Sequence, residues 1–252
     1  VEAMDEEFDL REALATGEGL QEVIARATVN KEFLKEVIEL LDDDLWTVQK
    51  NALRVVVEVL RDMPELHDSL ITKLMVMLRK SEAVPLTQEI ARAFGVLAEI
   101  APGKVAKIVP VIFANYRVGD PKIKVNATYV LEEIMRVRPS LLGNVFRDIG
   151  FMLTSKETSD KLAALNFILA LSENGMKYVT PFLPKLFALL HDKNELVRAS
   201  AVETLVALGE TNEKLRKIVM SKLEEVKDDR SELVQKKLKE GLSRLIILDR
   251  GV

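Results

Sequence analysis

The run Asp192-Lys-Asn-Glu-Leu-Val-Arg198 returns 37 residues later as Asp229-Arg-Ser-Glu-Leu-Val-Gln235. The same step back from Ala201 reaches Ala164 in Lys161-Leu-Ala-Ala-Leu, then Ala127 in Ile123-Lys-Val-Asn-Ala127. That stretch in turn matches Val48-Gln-Lys-Asn-Ala52. The fitted anchors are Ala52, Ala93, Ala127, Ala164, Ala201 and Leu238, separated by 41, 34, 37, 37 and 37 residues. Four positions after each stands an aliphatic residue (Val56, Leu97, Leu131, Ile168, Leu205, Leu242), and seven after it another (Val59, Ile100, Ile134, Leu171, Leu208, Leu245). In a helix these lie one and two turns along the same face. A fixed period of this size is the mark of a stacked-repeat architecture.

Working outward, the apolar spacing is helical throughout: Phe33, Val37, Ile38, Leu40 and Leu41, or Leu70, Leu74, Met77 and Leu78, recur at three and four residues. Breakers at Gly17, Gly19, Pro64, Pro85, Pro102, Gly119, Pro139, Gly175 and Gly209 cut the chain into about fourteen helical segments. Each unit reads as helix, short turn, second helix, with the small anchor letting the second helix approach its neighbours. One pair cannot bury both apolar faces, so the units must stack. The expectation is an all-α fold, a right-handed α-solenoid of about six helical hairpins. It forms a single continuous domain over residues 30–252 behind an acidic helical cap at 1–29. The second unit departs most, with Glu89-Ile90 where others have Val-Arg and an insertion near Ser81 to Val84.

Composition removes several chemistries. The 252 residues include no Cys and only two His, His67 and His191, so thiolate and multi-histidine metal sites are excluded. His67, among acidic neighbours, reads as a surface histidine. No phosphate loop follows Gly17, Gly19 or Gly103-Lys104, and no strand supports a serine elbow. No catalytic, metal or cofactor site is expected. The net charge of −4 is unevenly spread: residues 1–44 hold fourteen Asp/Glu and four Lys/Arg, leaving +6 on the remainder. The acidic end is expected to be a solvated face that keeps the terminal helices soluble. No uncharged run approaches the ~20 residues of a membrane span, and no stretch resembles a signal peptide. A cytoplasmic protein is expected, with upstream residues missing before Val1. The absence of Cys with abundant Lys and Glu is compatible with a thermophilic source.

Leu189-Leu-His-Asp192 with Val197-Arg198 and Ala201, Leu41-Asp-Asp43 with Val48-Gln49 and Ala52, and Asp229 with Val234-Gln235 resemble the HEAT-like, armadillo-type helical repeats. Pro110 and Pro184 stand where that family carries a first-helix proline. The resemblance covers roughly residues 30–248. It implies a ladder in which Gln49, Lys124, Lys161, Arg198 and Gln235, three before the anchors, each reach the Asp of a neighbouring unit. It also implies that the second helices line a concave face where partners bind. Residues pointing there include Asn51, Arg54, Glu58, Arg92, Glu99, Asn126, Tyr129, Glu133, Asn166 and Glu203. Glu58, Glu99 and Glu133 form a Glu row expected to meet a peptide or helix bearing basic groups. Tyr129 is the favoured aromatic contact, whereas Trp46 is expected to be packed.

The resulting expectation is a non-enzymatic scaffold that binds a protein or peptide, itself a monomer or weak homo-oligomer. The alternative is a nucleic-acid-binding relative, such as the HEAT-like glycosylases that excise alkylated bases. The single Trp, the Glu row and a pI near 5.5 oppose it. Neither nucleic acid nor membrane is expected as the partner.

Overall fold

The computed structural model describes residues 8–251. Val1 to Glu7, which carry the first acidic residues of the expected cap, and Val252 lie outside the described residues. Two compact units divide between Val137 and Arg138, and each is described by itself.

The first unit contains α1 (Leu10–Thr16), α2 (Leu20–Val29), α3 (Lys31–Glu39), α4 (Trp46–Leu60), α5 (His67–Lys80), α6 (Val84–Ile100), α7 (Pro102–Val118) and α8 (Pro121–Val137). Helices α1 and α2 pack on α4, forming the cap layer. Three hairpins follow: α3/α4, α5/α6 and α7/α8. Within the unit α4 packs on α6 and α6 on α8, so the second helices lie side by side. The second unit holds α9 (Val145–Met152), α10 (Thr158–Ser172), α11 (Leu183–Ala188), α12 (Glu195–Thr211), α13 (Glu213–Glu225) and α14 (Glu232–Asp249). Here α10 packs on α12 and α12 on α14. The described residues thus form an all-α fold of stacked helical hairpins, and none of their helices is long and apolar enough to cross a membrane.

The anchors explain the stacking. Ala52, Ala93, Ala127, Ala164 and Ala201 are fully buried, and Leu238 nearly so. The residues four and seven positions on are buried with them, except that Ile100 and Leu242 are half-buried. A methyl side chain on this seam allows helices to approach closely, and the aliphatics on either side fill the space between them. In the last hairpin Leu238 stands in place of Ala, and Gly241 provides a close approach. A Cβ at Gly241 would overlap the Val206 side chain.

Helix ends follow local chemistry. Asp9, Asn30, Asn194, Asn212 and Ser231 accept backbone N–H bonds at the starts of α1, α3, α12, α13 and α14. Gly17 adopts φ 75°, the left-handed conformation that ends α1. Two expectations are corrected. His67 is not at the surface: it is buried, and its Nε2 donates to the Leu60 carbonyl at 3.1 Å. Trp46, at the first turn of α4, is 39% exposed rather than packed, with the Lys50 ammonium 5.8 Å from its ring. A helix start projects its first side chains beyond the neighbouring turn, where no core reaches them.

Candidate functional site

Two surfaces arise from the repeat: the turn edge, where Asp precedes the second helix, and the exposed face of the second helices. On the turn edge, Arg198 donates through Nε and Nη2 to the two Asp229 carboxylate oxygens at 2.9 and 3.1 Å. It also caps the Asp192 and Lys193 carbonyls. Lys161 donates to Asp192 at 2.5 Å. Arg198 is buried, and Lys161, Asp192 and Asp229 are half-buried.

The remaining expected rungs are not formed as expected. Gln49 donates to the Leu41 carbonyl and Gln235 to the Asp229 carbonyl, each within its own turn. Lys124 is exposed. The reason lies in the acceptor. A rung needs an Asp nine residues before the next anchor, and only Asp43, Asp192 and Asp229 stand there, against Val84, Val118 and Ser155 in the other units. Asp43 does have a donor, one missed from sequence: Arg11 in α1, at 2.8 and 3.1 Å. The signal was present, since Arg11 precedes Asp43 by 32 residues and Arg198 precedes Asp229 by 31. The cap helix α1 therefore acts as a shortened second helix.

Each of these aspartates also accepts the backbone N–H two residues on (Leu45, Asn194 and Ser231), which closes the turn rather than capping the helix. Burial pushes the carboxyls of Asp192 and Asp229 up. The hydrogen bonds from Lys161 and Arg198, and from the turn N–H groups, outweigh it and hold both below the usual carboxylate range. Arg11 and the Leu45 N–H lower Asp43 in the same way.

On the second-helix face of the first unit, Asn51 and Asn126 are not surface groups. Both are buried. Asn51 donates to the Leu14 carbonyl at 2.6 Å. Asn126 donates to the Leu78 and Ser81 carbonyls at 2.8 and 2.9 Å and accepts from Thr87. One position before the anchor, a side chain points between layers, and an amide there closes the free carbonyls of a neighbouring helix end. The Glu row is also largely occupied. Glu58 accepts from Arg92 at 2.9 Å, and Glu133 from Arg136 at 2.7 Å. Arg54 reaches Glu89, a buried carboxylate noted in the sequence only as a departure from the repeat, at 2.5 and 3.1 Å. Glu132, beside Glu133, has its carboxyl pushed up by burial, partly offset by Arg136.

Glu99 is exposed and Tyr129 half-buried, and among the described residues neither the Glu99 carboxylate nor the Tyr129 hydroxyl has an ion-pair or hydrogen-bond partner. Glu133 lies across Gly95, where a Cβ would approach its Cγ to 3.0 Å. In the second unit Asn166 is exposed and unbonded, while Glu203 is paired with Lys237 at 2.6 Å. In the first unit the face is therefore a row of Arg–Glu pairs, interrupted by groups with unused hydrogen-bonding capacity.

Residues 42–86 match the family described as "Repeat of uncharacterized protein PH0542", and residues 182–211 match the HEAT repeat. No protein of curated function is significantly similar in sequence. Among solved structures, the archaeal HEAT-like repeats protein from Thermococcus onnurineus NA1 is 17% identical, over 95% of this chain and 97% of that one, with a TM-score of 0.47. A designed armadillo repeat protein in complex with the peptide (KR)4 is 16% identical, over 84% and 99% of the two chains, at 0.46. The structure reporting Kap95p binding to RanGDP gives a TM-score of 0.65 at 12% identity, covering 96% of this chain and 33% of that one. This last likeness is one of fold.

Proposed function

We propose, from the premise that this chain belongs to the HEAT-like, armadillo-type helical-repeat family, that it is a non-enzymatic scaffold binding a protein partner on its second-helix face. One observation carries the proposal. In the first unit, Glu99 and Tyr129 stand with unused hydrogen-bonding groups on a face otherwise fixed by Arg54–Glu89, Arg92–Glu58 and Arg136–Glu133. Side chains locked by such pairs are already ordered, so a partner loses less conformational freedom on meeting them. Tyr is favoured at interfaces because its ring provides area and its hydroxyl provides direction. Kap95p, with the same fold, binds RanGDP, which gives the proposal a precedent in kind without naming a partner here.

Because Glu58 and Glu133 are already neutralised, the partner is recognised less by its net positive charge than by hydrogen bonding around Glu99 and Tyr129. Capture of the tagged chain's partners, compared between wild type and Glu99→Lys/Tyr129→Ala, tests this. A discrete protein retained at high salt and lost in the variant is the expected result. Nucleic acid that leaves as salt rises, with no protein lost in the variant, would overturn it.

A further inference from the structure

The first helices of the second unit carry a feature that the second-helix face does not use. From Asn174 to His191 there is no Asp or Glu, while Lys177 and Lys185 are present. Around this segment, lysines and aromatic rings alternate across three successive hairpins. Phe146 of α9 stacks on Tyr178 at 6.1 Å with planes 11° apart, and the Lys177 ammonium sits 5.0 Å from the Tyr178 ring. Lys185 of α11 lies 5.9 Å from the Phe151 ring and donates to the Gly150 carbonyl at 3.0 Å. Lys222 of α13 lies 5.7 Å from the Phe187 ring, which ties the third hairpin into the row. Phe151 is 63% exposed and Ile218 51%. On α13, Lys214, Ile218 and Lys222 follow one another at four-residue intervals, so they share one side of the helix.

An exposed phenyl ring and an exposed isoleucine amid four lysines, of which Lys177 and Lys214 are exposed and Lys222 has only Glu225 at 3.9 Å, form an interaction surface, not ordinary solvated helix. We infer that this first-helix face docks a short acidic segment of a partner protein that carries apolar side chains between its carboxylates. Charge complementarity selects the occupant: ammonium groups held near ring faces present a fixed positive row to carboxylates. Phe151 and Ile218 take the apolar side chains between them. The acids around the row select against a long polyanion. Glu225 lies 3.9 Å from Lys222, and the same helices carry Asp148 on α9 and Glu213 and Glu224 on α13. A continuous phosphate backbone would have to run past these carboxylates. A short acidic segment can be placed between them.

The test uses the full chain and a fluorescently labelled peptide of tandem Glu-Glu-Leu-Phe blocks, read by anisotropy at low and high salt. Labelled oligothymidylate and phosphatidylglycerol vesicles are measured in parallel. The peptide is expected to bind, and Lys177→Glu/Lys214→Glu to weaken it by about tenfold at low salt. Both lysines are exposed, so that variant keeps its fold, which circular dichroism checks. Phe151→Ser is expected to cause a several-fold loss that persists at high salt, where charge is screened. Peptide binding unchanged in both variants, or absent, would overturn the inference. So would oligothymidylate or vesicles binding more tightly than the peptide and losing affinity in the same variants. The variants leave Glu99 and Tyr129 untouched, so this result is independent of the second-helix proposal.

Discussion

The two compact units solve the same problem with different chemistry. Each stacked hairpin leaves carbonyls at its helix ends that must be closed, and each must be held in register with the next. Up to Val137, the helix-end carbonyls are closed by neutral amides, Asn51 on the α1 end and Asn126 on the α5 end with Thr87, and the buried carboxylate Glu89 is held by Arg54 away from those ends. The one Asp rung there, Arg11–Asp43, has its guanidinium 56% exposed. From Arg138 onward, the work is done by charge. Arg198 and Lys161 reach Asp229 and Asp192, with side-chain exposures of 4, 18, 8 and 9% respectively. A neutral amide holds its bonds at any pH. A buried ion pair is directional and strong only while both partners stay ionised.

The largest expected effect comes from breaking the charged register. Arg198→Met removes five hydrogen-bonding groups and leaves Asp229 partly buried without its cation. A loss of about 3 kcal/mol is expected in urea unfolding of the second unit's signal. Adding Asp229→Asn to Arg198→Met should recover part of it. If the single variant costs no more than an exposed pair, the rung is not structural and the comparison fails. In the first unit, Asn126→Ala takes the amide donor from two buried carbonyls, while the Thr87 hydroxyl keeps Ser81 and the Ala83 carbonyl, and about 2 kcal/mol is expected to be lost. Asn51→Ala, with one bond, should cost about 1 kcal/mol. That ordering depends only on the number of bonds lost.

Close packing provides a third test, independent of polar chemistry. Gly241→Ala places a methyl against Val206 on α12, and about 1–3 kcal/mol is expected to be lost. Pairing it with Val206→Ala should restore most of that, which is read from the same unfolding curves. Gly95→Ala has a different consequence. Its methyl meets the flexible end of Glu133 rather than a core side chain, so it should displace that carboxylate with little effect on stability.

The repeat, its anchors and its helical content were legible because burial repeats with period, and a period survives in a single chain. The five Ala anchors and their following aliphatics sit where the spacing put them. The ladder was half legible. The donors were visible three before each anchor, but a rung needs two residues from different units, and Val84, Val118 and Ser155 remove the acceptors. Arg11 was missed because α1 is too short to show the anchor pattern. The interaction face was the least legible. Spacing placed Asn51 and Asn126 on the open second-helix face, whereas they turn between layers to the carbonyls of neighbouring helix ends, which spacing within one unit does not reveal. Nor could it show that Glu58 and Glu133 would meet Arg92 and Arg136, since exposed charges pair according to distances that spacing does not fix.

The smallest effect is the one that most directly separates the two units. Asp192 and Asp229 have carboxyls held below the usual range in the fold. Groups of this kind contribute stability that is present above the unfolded value, about 3.9, and is lost as pH falls through the folded one. Glu132, in the first unit, behaves oppositely. Burial raises its carboxyl, so ionisation costs stability at neutral pH and acidification through the raised value removes that cost. Asp43 follows the sign of Asp192 and Asp229, but its cation is at the surface and salt screens the pair. On lowering pH toward and below about 4, α12 and α14 should therefore lose amide-exchange protection, after correction for intrinsic rates, before α4 and α6 do. Trp46, the sole tryptophan, reports the first unit by fluorescence and should change later than the α12 amides. Asp192→Asn and Asp229→Asn together should reduce that gap at the expense of stability at neutral pH. Simultaneous loss in both units of the wild-type chain would mean that the charged rungs do not set the acid response, and the contrast between amide and ion-pair register would then have no consequence for stability.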